Sequence, residues 1–159
     1  MGESSIEVRR AQARDMAFVV ELWRQLAEEL AGRDDRYSLR QDAEILWAKW
    51  AGQRLRDEDS LMLVAETGGD YVGYLLAHVD DSQPIFKMRR HATVTDVFVV
   101  KEQRRKGLGK RLVDEALAFF KERGVSHARA NVLLKNEGAK AFMEKMGFGD
   151  FLARMWKPL

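Results

Sequence analysis

Apolar residues recur at helical spacing in four stretches of this chain, and the stretches between them read as strands or turns. Residues 6–9 predict a short opening strand. Met16, Val19, Val20, Trp23, Leu26 and Leu30 then fall on one face of a helix that Asp15 is placed to cap. After a polar break at residues 32–38, Ala43, Leu46, Trp47 and Trp50 repeat the helical pattern, which fades into a charged run at residues 54–59. Residues 61–66 and 71–79 read as strands. Between them Thr67, Gly68, Gly69 and Asp70 predict an antiparallel hairpin, because glycine supplies the positive φ a tight turn needs.

The polar segment 80–91, which contains Pro84, reads as a loop or an irregular strand end, and residues 92–100 as a β-branched central strand. Leu108, Leu112, Val113, Ala116, Leu117 and Phe120 mark the buried face of the next helix, which Gly124 stops. Residues 126–134 predict another strand. Asn136 is placed to cap a last helix with Ala139, Phe142, Met143 and Met146 inward, and Gly147 ends it before a terminal strand from residue 148 to about residue 157. The order β-α-α-β-β-β-α-β-α-β predicts a mixed sheet with helices on both faces.

A chain of 159 residues, 46% of them hydrophobic, suffices for one core and is short for two, so a single domain over residues 1–159 is expected. The formal charge of +2, from 27 basic and 25 acidic residues, is too small to argue for nucleic acid. The absence of cysteine excludes disulfides, thiolate metal sites and a cysteine nucleophile, and suits a reducing compartment. His78, His91 and His127 lack a ligand spacing, so no metal is expected. There is no basic-then-apolar leader and no apolar run long enough for a bilayer, which makes a cytoplasmic protein with no membrane partner the expectation.

What positive charge there is gathers in one turn. Val99 and Val100 lead through Lys101, Glu102, Gln103, Arg104, Arg105, Lys106, Gly107, Leu108 and Gly109 to Lys110 and Arg111 at the start of an amphipathic helix. The first N–H groups of a helix have no intrahelical acceptor and sit at the positive end of its dipole, so an anion is favoured there. Gly107 and Gly109 remove side chains that would hold a ligand away, and the basic residues bring charge to the rim. The run has neither the third glycine of a dinucleotide fingerprint nor the GK[ST] ending of a Walker loop.

Arg104-Arg105-Lys106-Gly107-Leu108-Gly109 matches the Q/R-x-x-G-x-G/A signature of the GNAT superfamily of acyl-CoA-dependent N-acetyltransferases. The chain resembles that family further at Ile6 to Ala11 with Arg14 and Asp15, at Tyr71-Val72-Gly73-Tyr74, and at Asp96-Val97-Phe98-Val99. Asn136-Glu137-Gly138-Ala139, followed by Phe142, Gly147 and Phe148, resembles its closing N-x-x-A…G-F pattern. The resemblance covers nearly the whole chain and implies the family's acyl-CoA N-acyltransferase fold, of α/β class (an α+β mixed sheet). That fold has a central, mostly antiparallel sheet with a splayed strand pair, flanked by helices. It implies that Arg104, Arg105, Lys106, Gly107, Leu108, Gly109 and Lys110 hold the coenzyme A pyrophosphate, largely through backbone N–H groups. Val97, Phe98 and Val99 would pair with the pantetheine arm as an added strand, and Asn136, Ala139 and Phe142 would flank its far side.

An amine must be neutral to attack a thioester, and Asp96 is the candidate base, the alternative being a structural aspartate in a salt bridge. The backbone N–H of Val99 is the candidate donor to the developing oxyanion. Thr95 stands where some relatives carry glutamate, and its hydroxyl could order a water but could not act as a base near neutral pH. Met143 occupies the position where many relatives place a tyrosine general acid; Tyr37, Tyr71 and Tyr74 are substitutes that read more simply as packing residues. A coenzyme thiolate leaves tolerably without full protonation, since thiols have a reference pKa of about 8.5. With no cysteine available, direct transfer from acetyl-CoA to a small-molecule or peptide amine in a ternary complex is expected, and the resemblance of the D-V-F-V strand to members that acetylate small amines or polyamines implies a polyamine-like acceptor. Asp34, Asp35, Asp80 and Asp81 read as solvated loop charge, or as a field that draws in a cationic amine. The alternatives are a catalytically weak acyl-CoA-binding or sensing domain and, on charge alone, a nucleic-acid module whose basic run lacks interleaved aromatics. Two copies could pair through the final strands as a homodimer.

Overall fold

The computed structural model describes residues 5–159, in which five strands form one sheet in the order β1-β2-β3-β4-β5. β1 (Glu7–Arg10), β2 (Ser60–Thr67), β3 (Asp70–Asp81) and β4 (Arg90–Val99) pair antiparallel in succession. β5 (Ala128–Ala130) joins β4 in parallel, which requires the long crossover that α3 (Leu108–Glu122) provides. α1 (Met16–Ala31) and α2 (Ala43–Leu55) link β1 to β2, and α4 (Glu137–Lys145) follows β5.

Each face of the sheet buries its own core. Leu61, Leu63, Leu75, Val94 and Val99 point to α3, which contributes Leu108, Leu112, Val113, Ala116, Phe119 and Phe120. Met62, Val64, Tyr74, Leu76 and Phe98 point the other way, onto Val19 and Leu22 of α1 and Ala51 of α2. Coverage on both faces explains why residues 61–65 are apolar without alternation. Leu46, expected inward on α2, is exposed, and Ala51 takes the fully buried place.

A bulge interrupts the β3–β4 pairing. His78 faces Thr93 and Ala77 faces Val94, but Leu76 faces Asp96, so Thr95 is an extra residue on β4. Ala92 and Val94 before it, and Val97 and Val99 after it, all pack on the α3 side. Asp96 therefore shares the α1/α2 side with Phe98. Just beyond, Gly73 is held by sterics: a β-carbon there would lie 2.9 Å from the Phe98 carbonyl oxygen.

β4 and β5 then part. Their register covers only Ala92–Val94 against Ala128–Ala130, and among the described residues no strand lies beside the outer edge of β4 past Val94. The strand expected over residues 126–134 is thus three residues long, and among the described residues no strand follows α4. Residues 151–159 are exposed, including Phe151, Leu152, Met155 and Trp156, because once β5 ends at Ala130 no ladder continues for them to join. The β3–β4 hairpin is longer than expected, with Asp80 and Asp81 inside β3 and the Ser82 N–H donating to the Arg89 carbonyl at 2.8 Å.

Asp15 does not cap α1. Its fully buried carboxylate accepts from the Gln12 N–H at 2.7 Å, from both terminal nitrogens of Arg9 at 2.8 and 3.0 Å, and from the Tyr71 hydroxyl at 2.6 Å. The Arg9 guanidinium is the main cause that holds this acid far below the ordinary carboxylate range, against the opposing effect of burial. Tyr71, stacked on Phe18 with ring centroids 4.3 Å apart, thus tethers β1 and α1 to β3.

Candidate active site

The turn between β4 and α3 is built to leave backbone donors free. Arg105 (φ 64°) and Gly107 (φ 83°) both adopt the left-handed conformation, which curls successive N–H groups toward one side. The first bond of α3 runs from the Arg111 N–H to the Gly107 carbonyl at 3.1 Å. Among the described residues, the N–H groups of Arg105, Lys106, Gly107, Leu108, Gly109 and Lys110 make no close, well-aligned hydrogen bond to a protein acceptor. Six consecutive donors at the positive end of a 15-residue helix make a cradle for an anion with several oxygens.

The basic side chains divide between scaffold and rim. Arg104 is scaffold: its Nε donates to the Val99 carbonyl and its terminal nitrogen to Glu29 of α1, both at 2.7 Å, while the guanidinium lies 5.3 Å from the Phe98 ring centroid. Lys110 pairs with Asp114, and Lys106 reaches Gln103. Arg105 is exposed, with no side-chain partner among the described residues. The two glycines have different causes. Gly107 answers a positive φ in open space, whereas Gly109 makes room for the ring of Phe142 on α4.

Beside the cradle runs the free edge of β4. The Val100 N–H donates to the Val72 carbonyl at 3.0 Å, so the alternate residues Val99 and Val97 turn their backbone groups away from β3 into the gap left by β5. The Val99 N–H is therefore open, while its carbonyl is held by Arg104. Phe98 differs: its backbone faces β3 and its ring is buried on the α1/α2 side. α4 begins nearby, with the Asn136 side chain accepting from the Ala139 N–H at 3.2 Å as expected of a cap. Ala139 and Phe142 are half-buried, and Met143 is buried.

A row of polar groups crosses the α1/α2 side of β3 and β4. Asp96 keeps some surface as a residue, but its Oδ2 is sealed from solvent and, among the described residues, makes no well-aligned hydrogen bond, as is true of the neighbouring Tyr74 hydroxyl on the same face. Burial pushes the Asp96 carboxyl up to about 6, partly offset by the Tyr74 hydroxyl. Burial, reinforced by the Asp96 charge, raises the Tyr74 phenol well above its usual range, so it stays protonated. On the other side of the bulge the Thr95 hydroxyl lies 2.9 Å from His78 Nδ1, and His78 Nε2 lies 2.8 Å from Asp80 Oδ2. Sequence reasoning missed this contact. The i, i+2 spacing of His78 and Asp80 on one strand face was a signal, but only the bulge brings Thr95 to the imidazole.

The acidic residues expected to attract an acceptor are engaged or apart. Asp34 is buried and paired with Arg36 at 2.6 Å and Lys135 at 3.0 Å, Asp80 is held by His78, and Asp81 lies 3.9 Å from Arg90. Asp35 is exposed in the short turn Asp35–Tyr37. A groove of about 390 Å³ between α1 and the turn is lined by Gln25, Glu28, Glu29, Phe98, Lys101 and Glu102.

Residues 19–148 match the Acetyltransferase (GNAT) family. The chain is 26% identical over 145 residues to the uncharacterised N-acetyltransferase YhfO of Bacillus subtilis, covering 91% of each. It is 33% identical over 106 residues to an uncharacterised N-acetyltransferase of Methanocaldococcus jannaschii, in a match that spans 65% of this chain and 46% of that relative, so the chain spans under half of that relative's length. A predicted acetyltransferase of Clostridium acetobutylicum, solved with acetyl-CoA, superposes with a TM-score of 0.78 at 19% identity, covering 98% and 96% of the two chains.

Proposed function

Because the chain belongs to the GNAT acetyltransferase family, we propose that residues 1–159 form one N-acetyltransferase domain that moves the acetyl group of acetyl-CoA to a primary amine in a ternary complex. The observation that carries the reading is the run of six free N–H groups from Arg105 to Lys110 beside the unpaired edge of β4. The cradle suits a pyrophosphate, and the open groups of Val97 and Val99 suit an amide-bearing arm laid along the strand. Asn136, Ala139 and Phe142 flank that arm from α4. The relative from Clostridium, which was solved with acetyl-CoA, supports the same assignment.

Acetyl-CoA bound there supplies an acyl thioester. The Val99 N–H is a fixed donor on the gap edge for the charge that grows on the carbonyl oxygen, and such a donor is worth roughly 3 kcal/mol in acyl transfer. Asp96, ionised above a pKa of about 6, takes a proton from the incoming ammonium ion. Small amines, polyamine-like molecules and peptide amines are the acceptor class.

Gly107→Glu tests the donor site. It places a carboxylate in the cradle and a side chain where φ is 83°, and is expected to abolish acetyl-CoA binding by calorimetry while the circular dichroism spectrum is kept. Unchanged affinity would refute the site. Mass spectrometry of a mixed amine and peptide pool then identifies the acceptor. Met143, buried and without a hydroxyl, favours a second reading as an acyl-CoA sensor; binding without thiol release across that pool would establish it.

A further inference from the structure

We propose that Thr95, His78 and Asp80 form a hydrogen-bonded relay that carries the second proton of the acceptor amine to the departing coenzyme A sulfur, an inference that rests on the acetyltransferase reading. An amine that arrives as ammonium must lose two protons on becoming an amide. Asp96 accounts for the first. Its neighbour at the bulge accounts for the other, and a tyrosine on α4 is then not needed.

The carboxylate sets the direction of the relay. Asp80 Oδ2 lies 2.8 Å from His78 Nε2 and favours the ring proton of neutral His78 on that nitrogen, which leaves Nδ1 bare. The Thr95 hydroxyl, 2.9 Å from Nδ1, then donates to the ring and leaves its oxygen lone pairs open to a donor. A carboxylate orienting an imidazole that takes a hydroxyl proton is the arrangement that activates hydroxyls in hydrolases. Here the hydroxyl passes a proton on and forms no bond to carbon.

His78 is suited to the role. It is nearly buried on β3, and burial lowers its pKa from the ordinary value of 6.5, with Arg54 of α2 and Arg129 of β5 acting in the same direction and Asp80 opposing them. His91 of β4 also faces Asp80, its Nε2 4.0 Å from Oδ2. The neutral ring is therefore the resting form at neutral pH.

The transfer balances. As the amine nitrogen bonds to the acyl carbon, its remaining surplus proton passes to Thr95 Oγ1 while the hydroxyl proton moves to Nδ1, and the imidazolium is stabilised by Asp80. When the C–S bond breaks and its electron pair leaves on sulfur, Nδ1 returns its proton to Thr95, and Thr95 gives one to the thiolate. The amide and the thiol remain, and the enzyme regains its starting form when Asp96 gives the first proton to solvent.

The full chain is assayed for thiol release with the best amine of the screen. Thr95→Val is expected to lower kcat about 100-fold, with the acetyl-CoA KM within twofold, and Thr95→Ser to restore most of the rate. Asp80→Asn should reduce kcat and shift the acid limb of the pH profile, since His78 must be neutral to accept the proton. Nitrogen NMR of the unliganded protein should show the Nε2–H tautomer of His78, independent of turnover. A Thr95→Val enzyme as fast as wild type, or an Nδ1–H tautomer, would overturn the relay while leaving the acetyltransferase reading intact. Wild-type protein that releases no thiol with any amine overturns that reading, and the relay with it.

Discussion

The ring of Phe142 lies against Gly109, its Cζ 3.4 Å and its Cε2 3.5 Å from the place where a β-carbon on the glycine would stand. These are close to ordinary contact distances, so one methyl fits and a branched side chain does not. Gly109→Ala is expected to keep acetyl-CoA affinity within about threefold and to raise helix stability by up to about 0.5–1 kcal/mol. Gly109→Val should displace Phe142 and α4 with it, costing about 1–3 kcal/mol. Urea denaturation and calorimetry on the two variants separate the cases.

Asp96 should be visible both in rate and in stability. Its folded pKa of about 6 lies above the ordinary value of 3.8, so ionising it opposes folding, and this opposition grows as pH rises from 4 to 6 and is complete above 6. Asp96→Asn is thus expected to be more stable than wild type at pH 8, with the difference vanishing near pH 4. In kinetics, kcat/KM of the wild type should fall below about pH 6, and the variant should lose that limb along with most of its rate. Paired denaturation and pH–rate series check both.

Asp15 has the opposite sign. Its pKa is lowered chiefly by Arg9, so its contribution to stability is fully present above the ordinary carboxylate value and is lost as pH falls through the lowered one. Asp15→Asn keeps the shape and removes the charge from Arg9, Gln12 and Tyr71, and should cost about 2 kcal/mol at pH 7, since hydrogen bonds to charged groups are the stronger ones. Urea midpoints of wild type and variant are expected to converge toward pH 2.

Much of this architecture was readable from local chemistry. The glycines at 68 and 69 marked the hairpin, Gly124 the end of α3, and Asn136 the start of α4, because each answers a requirement of its own few residues. What escaped depends on residues distant in sequence. The apolar content of residues 148–157 suggested a strand, yet a strand exists only if a neighbour offers its ladder, and β5 ends too early. Arg105 carries no mark of its left-handed backbone. Arg104 belongs by sequence to the basic run of the cradle, and nothing local marks Glu29, 75 residues away, as the partner of its side chain. Asp34 and Asp80 read as free charge for the same reason: their partners are set by the fold.

The extra residue in β4 acts on this strand as an inserted letter acts on a reading frame. Upstream of Thr95, even-numbered side chains pack on the α3 core; downstream, odd-numbered ones do. The same offset decides which backbone groups reach the gap and puts Asp96 opposite α1 rather than inside the α3 core. Strand length at this point thus governs chemistry more tightly than residue identity does. Closing the bulge with Thr95 still in the ladder would turn Asp96 into the α3 core, whereas deletion of Thr95 itself would keep every other side chain of the strand on its present face.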